Sequence, residues 1–210
     1  MRRPLSICRA DRELGMVQFW YQAVGKGTRL LSGLRSGDTL DVIGPLGKGF
    51  DAGISGKKAA LVGGGMGIAP LLFLSVELAT TSNNITAFFG GKHAGQLPPP
   101  FLLPAIECRL ATEDGSLGRR GLVTELLPEW IEREKPDLLY SCGPKGMLLE
   151  VVKIARRYGL PLQVSLEAMM ACGVGACLGC ACEKSASREE GWLKACQEGP
   201  VFWAGEVSWS

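Results

Sequence analysis

Leu61-Val62-Gly63-Gly64-Gly65-Met66-Gly67-Ile68-Ala69-Pro70 is the stretch that decides the fold of this chain. An apolar run over 58–62, of the kind buried on both faces of a sheet, ends in glycines, and a helical run over 69–79 opens directly after them. Such a turn leaves helix N–H groups without partners and aims the positive end of the helix dipole outward, which suits a phosphate. It departs from the usual G-x-G-x-x-G, because Ile68 stands where the last glycine would fall; Gly65-x-Gly67-x-x-Pro70 remains. Pro70 fits the first helical turn, where its missing N–H costs nothing. Taken alone, the turn is as compatible with a tight connection as with a dinucleotide site. Its place at the head of an alternating series favours the dinucleotide, because ligands of open α/β sheets bind beyond the carboxyl ends of the strands.

Outward from that turn, strand patterns at 85–89, 107–112, 137–141 and 162–166 alternate with helical patterns at 69–79, 121–132 and 144–158. This rhythm predicts a mostly parallel sheet with right-handed crossovers. Thr112-Glu113-Asp114-Gly115-Ser116-Leu117-Gly118 and Ser141-Cys142-Gly143-Pro144 follow later strands, so Cys142 would face the same crevice as the glycine turn. The plainer reading of Cys142 is a small buried residue in a tight turn. With no histidine beside it to form a thiolate, a nucleophilic role has no support. His93, the only histidine, reads as a surface residue. The second strand ends in Gly90-Gly91-Lys92-His93 without an acidic residue for a ribose hydroxyl, so the pattern does not choose between NAD and NADP.

The first fifty residues read as strands and turns. Residues 16–24, with Phe19, Trp20 and Tyr21, form one β-rich run, and 38–43 form another; a turn at 30–34 is the one helical signal. The change of texture falls within 49–57. Arg3-Pro4-Leu5-Ser6 supplies a guanidinium and a hydroxyl of the kind that hold a pyrophosphate, and Gly27-Thr28 offers a second donor pair. Each also reads as ordinary solvated surface.

Near the other end, Met170-Ala171-Cys172-Gly173-Val174-Gly175-Ala176-Cys177-Leu178-Gly179-Cys180-Ala181-Cys182 carries four of the eight cysteines. Cys172, Cys177, Cys180 and the later Cys196 give C-x4-C-x2-C…C, the plant-type [2Fe–2S] spacing. Gly173, Gly175 and Gly179 would let backbone N–H groups turn towards the sulfurs. A structural zinc site is the competing reading, though only one C-x2-C pair has knuckle spacing. Clustered thiols in a chain whose Met1-Arg2-Arg3-Pro4 start leads into no apolar signal region point to a reducing, cytoplasmic compartment. The composition is that of an ordinary globular protein, 46% apolar and 21% charged. A net charge of +2 with no basic run argues against nucleic acid. The most apolar span, 59–79, is interrupted by Gly63, Gly64, Gly65, Gly67 and Pro70, unlike a membrane helix.

Together these residues resemble the ferredoxin-reductase-like family, and within it the electron-transfer subunits of heteromeric, NAD-linked dihydroorotate dehydrogenases. The likeness runs in order through Arg3-Pro4-Leu5-Ser6, Gly27-Thr28, Gly44-Pro45-Leu46-Gly47-Lys48-Gly49-Phe50, the glycine turn, Asp114-Gly115-Ser116-Leu117-Gly118, Tyr140-Ser141-Cys142-Gly143-Pro144, the cysteine loop, and Cys196 with Gly199-Pro200-Val201-Phe202. It implies a mixed β and α/β fold: an antiparallel flavin-binding barrel over 1–53, a parallel-sheet nicotinamide domain over 54–166 and a [2Fe–2S] segment over 167–210. By likeness, Arg3, Pro4, Leu5, Ser6, Trp20, Tyr21, Gln22, Gly27 and Thr28 would line FAD. Gly64, Gly65, Met66, Gly67, Pro70, Cys142, Gly143 and Pro144 would receive NAD. Cys172, Cys177, Cys180 and Cys196 would hold the cluster, with Cys182 left over.

The family's partner is an FMN-containing catalytic subunit, in a heterotetramer of two catalytic and two electron-transfer subunits. Electrons from dihydroorotate pass from FMN through the cluster to FAD and leave on NAD⁺. The resemblance implies no catalytic base in this chain. Family members carry further strands before the R-P-x-S motif, so the expectation here is a partial, N-terminally truncated barrel with an open edge. Two other readings compete. One is a related reductase subunit linking NAD(P)H to ferredoxin or sulfur compounds, whose members tend to carry Asp at the position of Cys172. The other is a non-catalytic zinc or iron–sulfur redox-sensing module.

Overall fold

The computed structural model describes residues 3–186 and 191–209. In chain order, β1 (Ile7–Asp11) and β2 (Met16–Phe19) precede α1 (Lys26–Ser32). Then come β3 (Lys58–Gly64), α2 (Ile68–Ala79), β4 (Asn84–Gly91), β5 (Glu107–Thr112) and β6 (Arg119–Arg120). These are followed by α3 (Leu127–Glu134), β7 (Leu138–Cys142), α4 (Lys145–Tyr158) and β8 (Leu162–Ser165). The chain closes with β9 (Ala181–Glu183), β10 (Trp192–Lys194) and β11 (Val201–Trp203).

Among the described residues seven strands form one sheet in the order β11-β8-β7-β3-β4-β5-β6. All neighbours are parallel except β11, which runs antiparallel to β8. β3, β4 and β7 are apolar runs because both faces are covered. From β3 the chain steps outward to β4, β5 and β6, then returns to pair β7 on the other side of β3. That reversal is a topological switch point, with the carboxyl ends of β3 and β7 at its mouth.

Right-handed crossovers leading in opposite directions put α2 and α4 on opposite faces of the sheet. On one face α2 packs with Leu61, Phe89 and Tyr140 and with Cys8 and Trp20 of the N-terminal segment. Covered by the sheet on one side and this segment on the other, α2 is apolar over most of its circumference. On the other face α3 and α4 pack with Val62, Phe88 and Val164, and the C-terminal segment joins this core through Cys180, Ala195, Cys196 and Phe202. Trp130 of α3 meets Phe88 edge to face at 5.2 Å. α4 ends on Gly159 in the left-handed conformation, with Arg156 and Arg157 complementing the helix dipole in its last turn.

The N-terminal fifty residues depart most from the sequence expectation. The run over 16–24 is a strand only as far as Phe19, where Trp20 turns in to pack beside α2. No strand forms over 38–43, because ladder hydrogen bonds need a partner and none of the described strands lies beside it. Helix α1 starts four residues before the anticipated turn, since Thr28 caps it by accepting from the Gly25 amide at 3.1 Å. The described part of the expected barrel is thus one two-stranded sheet and one short helix. Leu14, Val24, Leu30, Leu40, Val42 and Ile43 are exposed on it. Elsewhere the helix expected over 121–132 is a 3₁₀ turn followed by α3, which Pro128 opens. The sheet does not end at β8, because β11 of the C-terminal segment pairs with it as the seventh strand.

Candidate functional site

At the switch point two glycine turns pack backbone against backbone. A Cβ on Gly67 would lie 2.5 Å from the Cys142 carbonyl carbon and from the Gly143 nitrogen. A Cβ on Gly143 would lie 3.0 Å from the Gly64 nitrogen, and one on Gly64 would strike Met147 Sδ at 2.7 Å. Gly65 differs: its φ is +54° and nothing lies within 4 Å of its Cβ position, so its face is open. Gly65–Gly67 form a 3₁₀ turn that leads into α2, with Met66 half-buried and Pro70 in the first turn of the helix. The amino ends of α2 and α4 therefore flank one crevice, α4 being preceded by Gly143 and Pro144. No acidic residue occupies either first turn, which leaves the N–H groups available to a phosphate. Cys142, the last residue of β7, precedes the Gly143 turn and packs against the core of the sheet. Burial pushes its thiol up to about 12, against the opposing influence of a hydrogen bond with Ser165, so it is a neutral packing group.

The N-terminal pieces also come together. The Arg3 side chain crosses Gly27, where a Cβ would sit 3.4 Å from Arg3 Cγ and 3.5 Å from Nε. Gly27 and Thr28 occupy the first turn of α1, where backbone N–H groups have no helical acceptor. The Thr28 hydroxyl donates to Gly25 O at 3.2 Å, so what this residue offers a ligand is its N–H. Pro4 and Ser6 are exposed and Leu5 half-buried just before β1; Tyr21 and Gln22 follow β2 on the extended path to α1.

The cysteine loop is a nest of N–H groups around sulfur. Gly173 and Gly175 have φ of +73° and +79°, and Leu178, although it carries a Cβ, has φ of +57°. Backbone N–H groups of Val174, Cys177 and Ala176 reach Cys172, with the Cys177 thiol as a further partner. Led by the Val174 bond, they bring its thiol down to about 6. The Gly175 N–H donates to Cys196 Sγ at 3.2 Å, and the Cys196 N–H to Cys180 Sγ at 3.4 Å. Burial raises the Cys196 thiol, with its contact to Cys180 adding to the effect. The thiols thus pair as Cys172 with Cys177 and Cys180 with Cys196. Among the described residues no three His, Cys, Asp or Glu converge on a point that would hold a single metal ion. Cys182 turns aside and donates to Leu193 O at 3.5 Å.

The loop and the N-terminal segment touch. Leu46 Cδ1 is 3.5 Å from the Cβ position of Gly173, and the Lys48 N–H donates to Gly199 O while Val201 N–H returns to Lys48 O at 3.3 Å. Gly47, at φ +74°, lets the backbones meet. The sequence marked residues 44–50 and 199–202 as separate motifs but carried no sign that they bond to each other.

Residues 167–208 match the family model of the iron–sulfur cluster binding domain of dihydroorotate dehydrogenase B. Over its whole length the chain is 39% identical to the dihydroorotate dehydrogenase B (NAD(+)) electron transfer subunit of Desulforamulus reducens, covering 80% of that protein. It is 42% identical to the subunit of the same name from Geobacillus thermodenitrificans, with 99% of this chain and 80% of the relative aligned. Among solved structures, an NADH-dependent reduced ferredoxin-NADP oxidoreductase superposes with a TM-score of 0.86 at 33% identity, over 99% of this chain and 74% of the other. A ferredoxin reductase of carbazole 1,9a-dioxygenase, 17% identical with a TM-score of 0.63 over 76% of this chain and 54% of its own, shares the fold.

Proposed function

The chain belongs to the family of electron-transfer subunits of dihydroorotate dehydrogenase B, and from that premise we propose how its own residues do that work. It is an oxidoreductase subunit that carries electrons from an FMN-containing, dihydroorotate-oxidising subunit through a [2Fe–2S] cluster and FAD to NAD⁺, in pyrimidine biosynthesis. When bound, FAD exchanges a hydride, a proton with its electron pair, with NAD and single electrons with the cluster.

Cys172, Cys177, Cys180 and Cys196 are the cluster ligands. The observation that carries this assignment is the pairing of the four thiols under inward-turned N–H groups. The amides around Cys172 favour its thiolate before metal arrives, and the inward-turned N–H groups of the loop offset negative charge afterwards. The Gly64–Gly67 turn with Pro70, and the Cys142, Gly143 and Pro144 loop, receive the dinucleotide, its pyrophosphate over the open face of Gly65. Arg3 and the first N–H groups of α1 take the FAD pyrophosphate; Pro4, Leu5, Ser6 and the Trp20, Tyr21 and Gln22 stretch line the rest. Residues 1–53, 54–166 and 167–210 act as flavin, nicotinamide and cluster units, the first contributing part of a barrel. Met169, Val174 and Leu178 are exposed around the cysteine loop and form the face that meets the catalytic subunit, in an assembly of two subunits of each kind. No described helix is long and apolar enough to cross a membrane. Clustered free thiols fit a reducing compartment, and on that ground we place the complex in the cytoplasm.

The likeness to the ferredoxin-NADP oxidoreductase favours a second reading, a reductase subunit that serves ferredoxin. A cysteine at position 172 and the match over 167–208 favour the first. Co-expression with the FMN catalytic subunit separates the two. The expected result is a complex in which dihydroorotate reduces NAD⁺; a stable chain that exchanges electrons with ferredoxin but never with the catalytic subunit would replace it with the second reading.

A further inference from the structure

Between the flavin-type segment and the sheet the chain crosses at Phe50 and Asp51, and there the sheet grips it. The Tyr140 hydroxyl donates to Asp51 O at 2.7 Å, and the Asp51 N–H donates to Gln163 Oε1 at 2.9 Å. Both polar groups of one residue's backbone are thereby held by side chains from two adjacent strands. Tyr140 on β7 and Gln163 on β8 are register partners, and both are almost fully buried. Phe50 stands edge-on to the Tyr140 ring at 5.7 Å, so the grip has a packing component as well. Burial pushes the Tyr140 phenol up to about 12, with the Asp51 charge adding to it, so the hydroxyl stays protonated and donating.

Position gives this grip its consequence. Cys142, two residues on from Tyr140, lies on the same face of β7, about 7 Å further along the strand. It stands at the mouth of the nicotinamide crevice. Immediately before Phe50, residues 46–48 touch the cluster loop and the Gly199–Pro200 backbone. The gripped residue is thus the point at which flavin segment, cluster segment and nicotinamide sheet meet. Hydride passage requires donor and acceptor within about 3–3.5 Å, and a displacement of 1 Å can cost roughly a hundredfold in rate.

We propose that Tyr140 and Gln163 are positioning residues for the hydride step, acting by fixing Asp51 and so the separation of flavin from nicotinamide. Their side-chain hydrogen bonds in the structure are to the Asp51 backbone. The inference rests on the proposed function above, since it presumes that FAD and NAD occupy the two sides of this junction.

The test uses the full chain loaded with FAD and cluster, as wild type, Tyr140→Phe and Gln163→Met. Tyr140→Phe keeps the ring against Phe50 and removes only the hydroxyl; Gln163→Met keeps the volume and removes the acceptor. Three quantities are read: amide exchange at Asp51, NAD⁺ affinity, and the rate and primary isotope effect of flavin reduction by 4-deuterated NADH. Exchange at Asp51 should rise in Gln163→Met. In both variants the hydride step should slow by about 10–100-fold with an altered isotope effect. NAD⁺ affinity should stay within about twofold, because the pyrophosphate turn is untouched. Flavin reduction at the wild-type rate and isotope effect in both variants would overturn the proposal, whatever happens to melting temperature. A wild type that NADH does not reduce would instead overturn the functional reading, a separate and recognisable failure.

Discussion

Gly67→Ala isolates what the switch point demands of the backbone. Gly67 has φ of −64° and ψ of −11°, a conformation alanine adopts freely, so no dihedral penalty enters. The added Cβ would lie 2.5 Å from the Cys142 carbonyl carbon and the Gly143 nitrogen, and these are main-chain atoms that cannot swing away. The two turns would have to part by roughly 0.5–1 Å to restore ordinary contact in a close-packed interior. Overpacking of this kind costs about 1–3 kcal/mol. Because the two turns form the crevice, the same separation should weaken NAD⁺ binding by about tenfold or more, equivalent to roughly 1.4 kcal/mol. Gly65→Ala has open space instead but a φ of +54°, so about 1 kcal/mol of backbone strain is expected there. Gly146, in α4 with nothing near its Cβ position, is the control for stability: alanine there should be neutral or gain about 0.5 kcal/mol. Urea unfolding and NAD⁺ titration of the three variants check the set. A Gly67→Ala protein as stable and as tight-binding as wild type would refute the close-approach argument.

Further outcomes are expected elsewhere in the molecule. Cys196→Ser should lose the iron–sulfur absorption bands while Cys182→Ser keeps them, since Cys196 receives the Gly175 N–H and Cys182 bonds Leu193 O; the reverse pattern would reassign the fourth ligand. Gly47→Ala should loosen the cluster segment from residues 46–49, because φ is +74° and the Cβ would run into Gly199 and Pro200; faster proteolysis after residue 166 is the readout. Cys142 is raised to about 12 by burial, so its neutral form stabilises the fold fully below the unfolded thiol's range near 8.5–9. That contribution should fade as pH climbs from about 9 towards 12, and Cys142→Ala should flatten the decline. At pH 7.5 iodoacetamide should label Cys172 of the metal-free chain well before Cys142, which a mass map of alkylation would check.

How much of this was legible in the sequence depended on how local the cause was. β3, β4 and β7 announce themselves as apolar runs because both faces are covered, and the boundaries of β5 and the end of α4 at Gly159 follow from equally local signals. The run over 38–43 has the composition of a strand but pairs with none of the described strands, and pairing, not composition, makes a strand. β11 has only three residues and exists because β8 offers it an edge. The thiol spacing marked four candidate cluster ligands, and the glycines anticipated the N–H groups that turn towards Cys172 and Cys196. Which amide serves which sulfur depended on the folded loop. The grip on Asp51 spans 89 residues to Tyr140 and 112 to Gln163, and no periodicity encodes a hydrogen bond at that range.

In the proposed function one chain joins a nicotinamide crevice, a flavin and a two-iron cluster in electronic contact. Anaerobic titration of the FAD- and cluster-loaded protein with NADH, followed by absorption and electron paramagnetic resonance, tests it most directly. The flavin and iron–sulfur bands should both bleach, a reduced-cluster resonance should appear, and iron and acid-labile sulfide should be present in equal amounts. A colourless protein holding one zinc per chain, or a flavin that NADH reduces without any electron reaching the cluster, would contradict it.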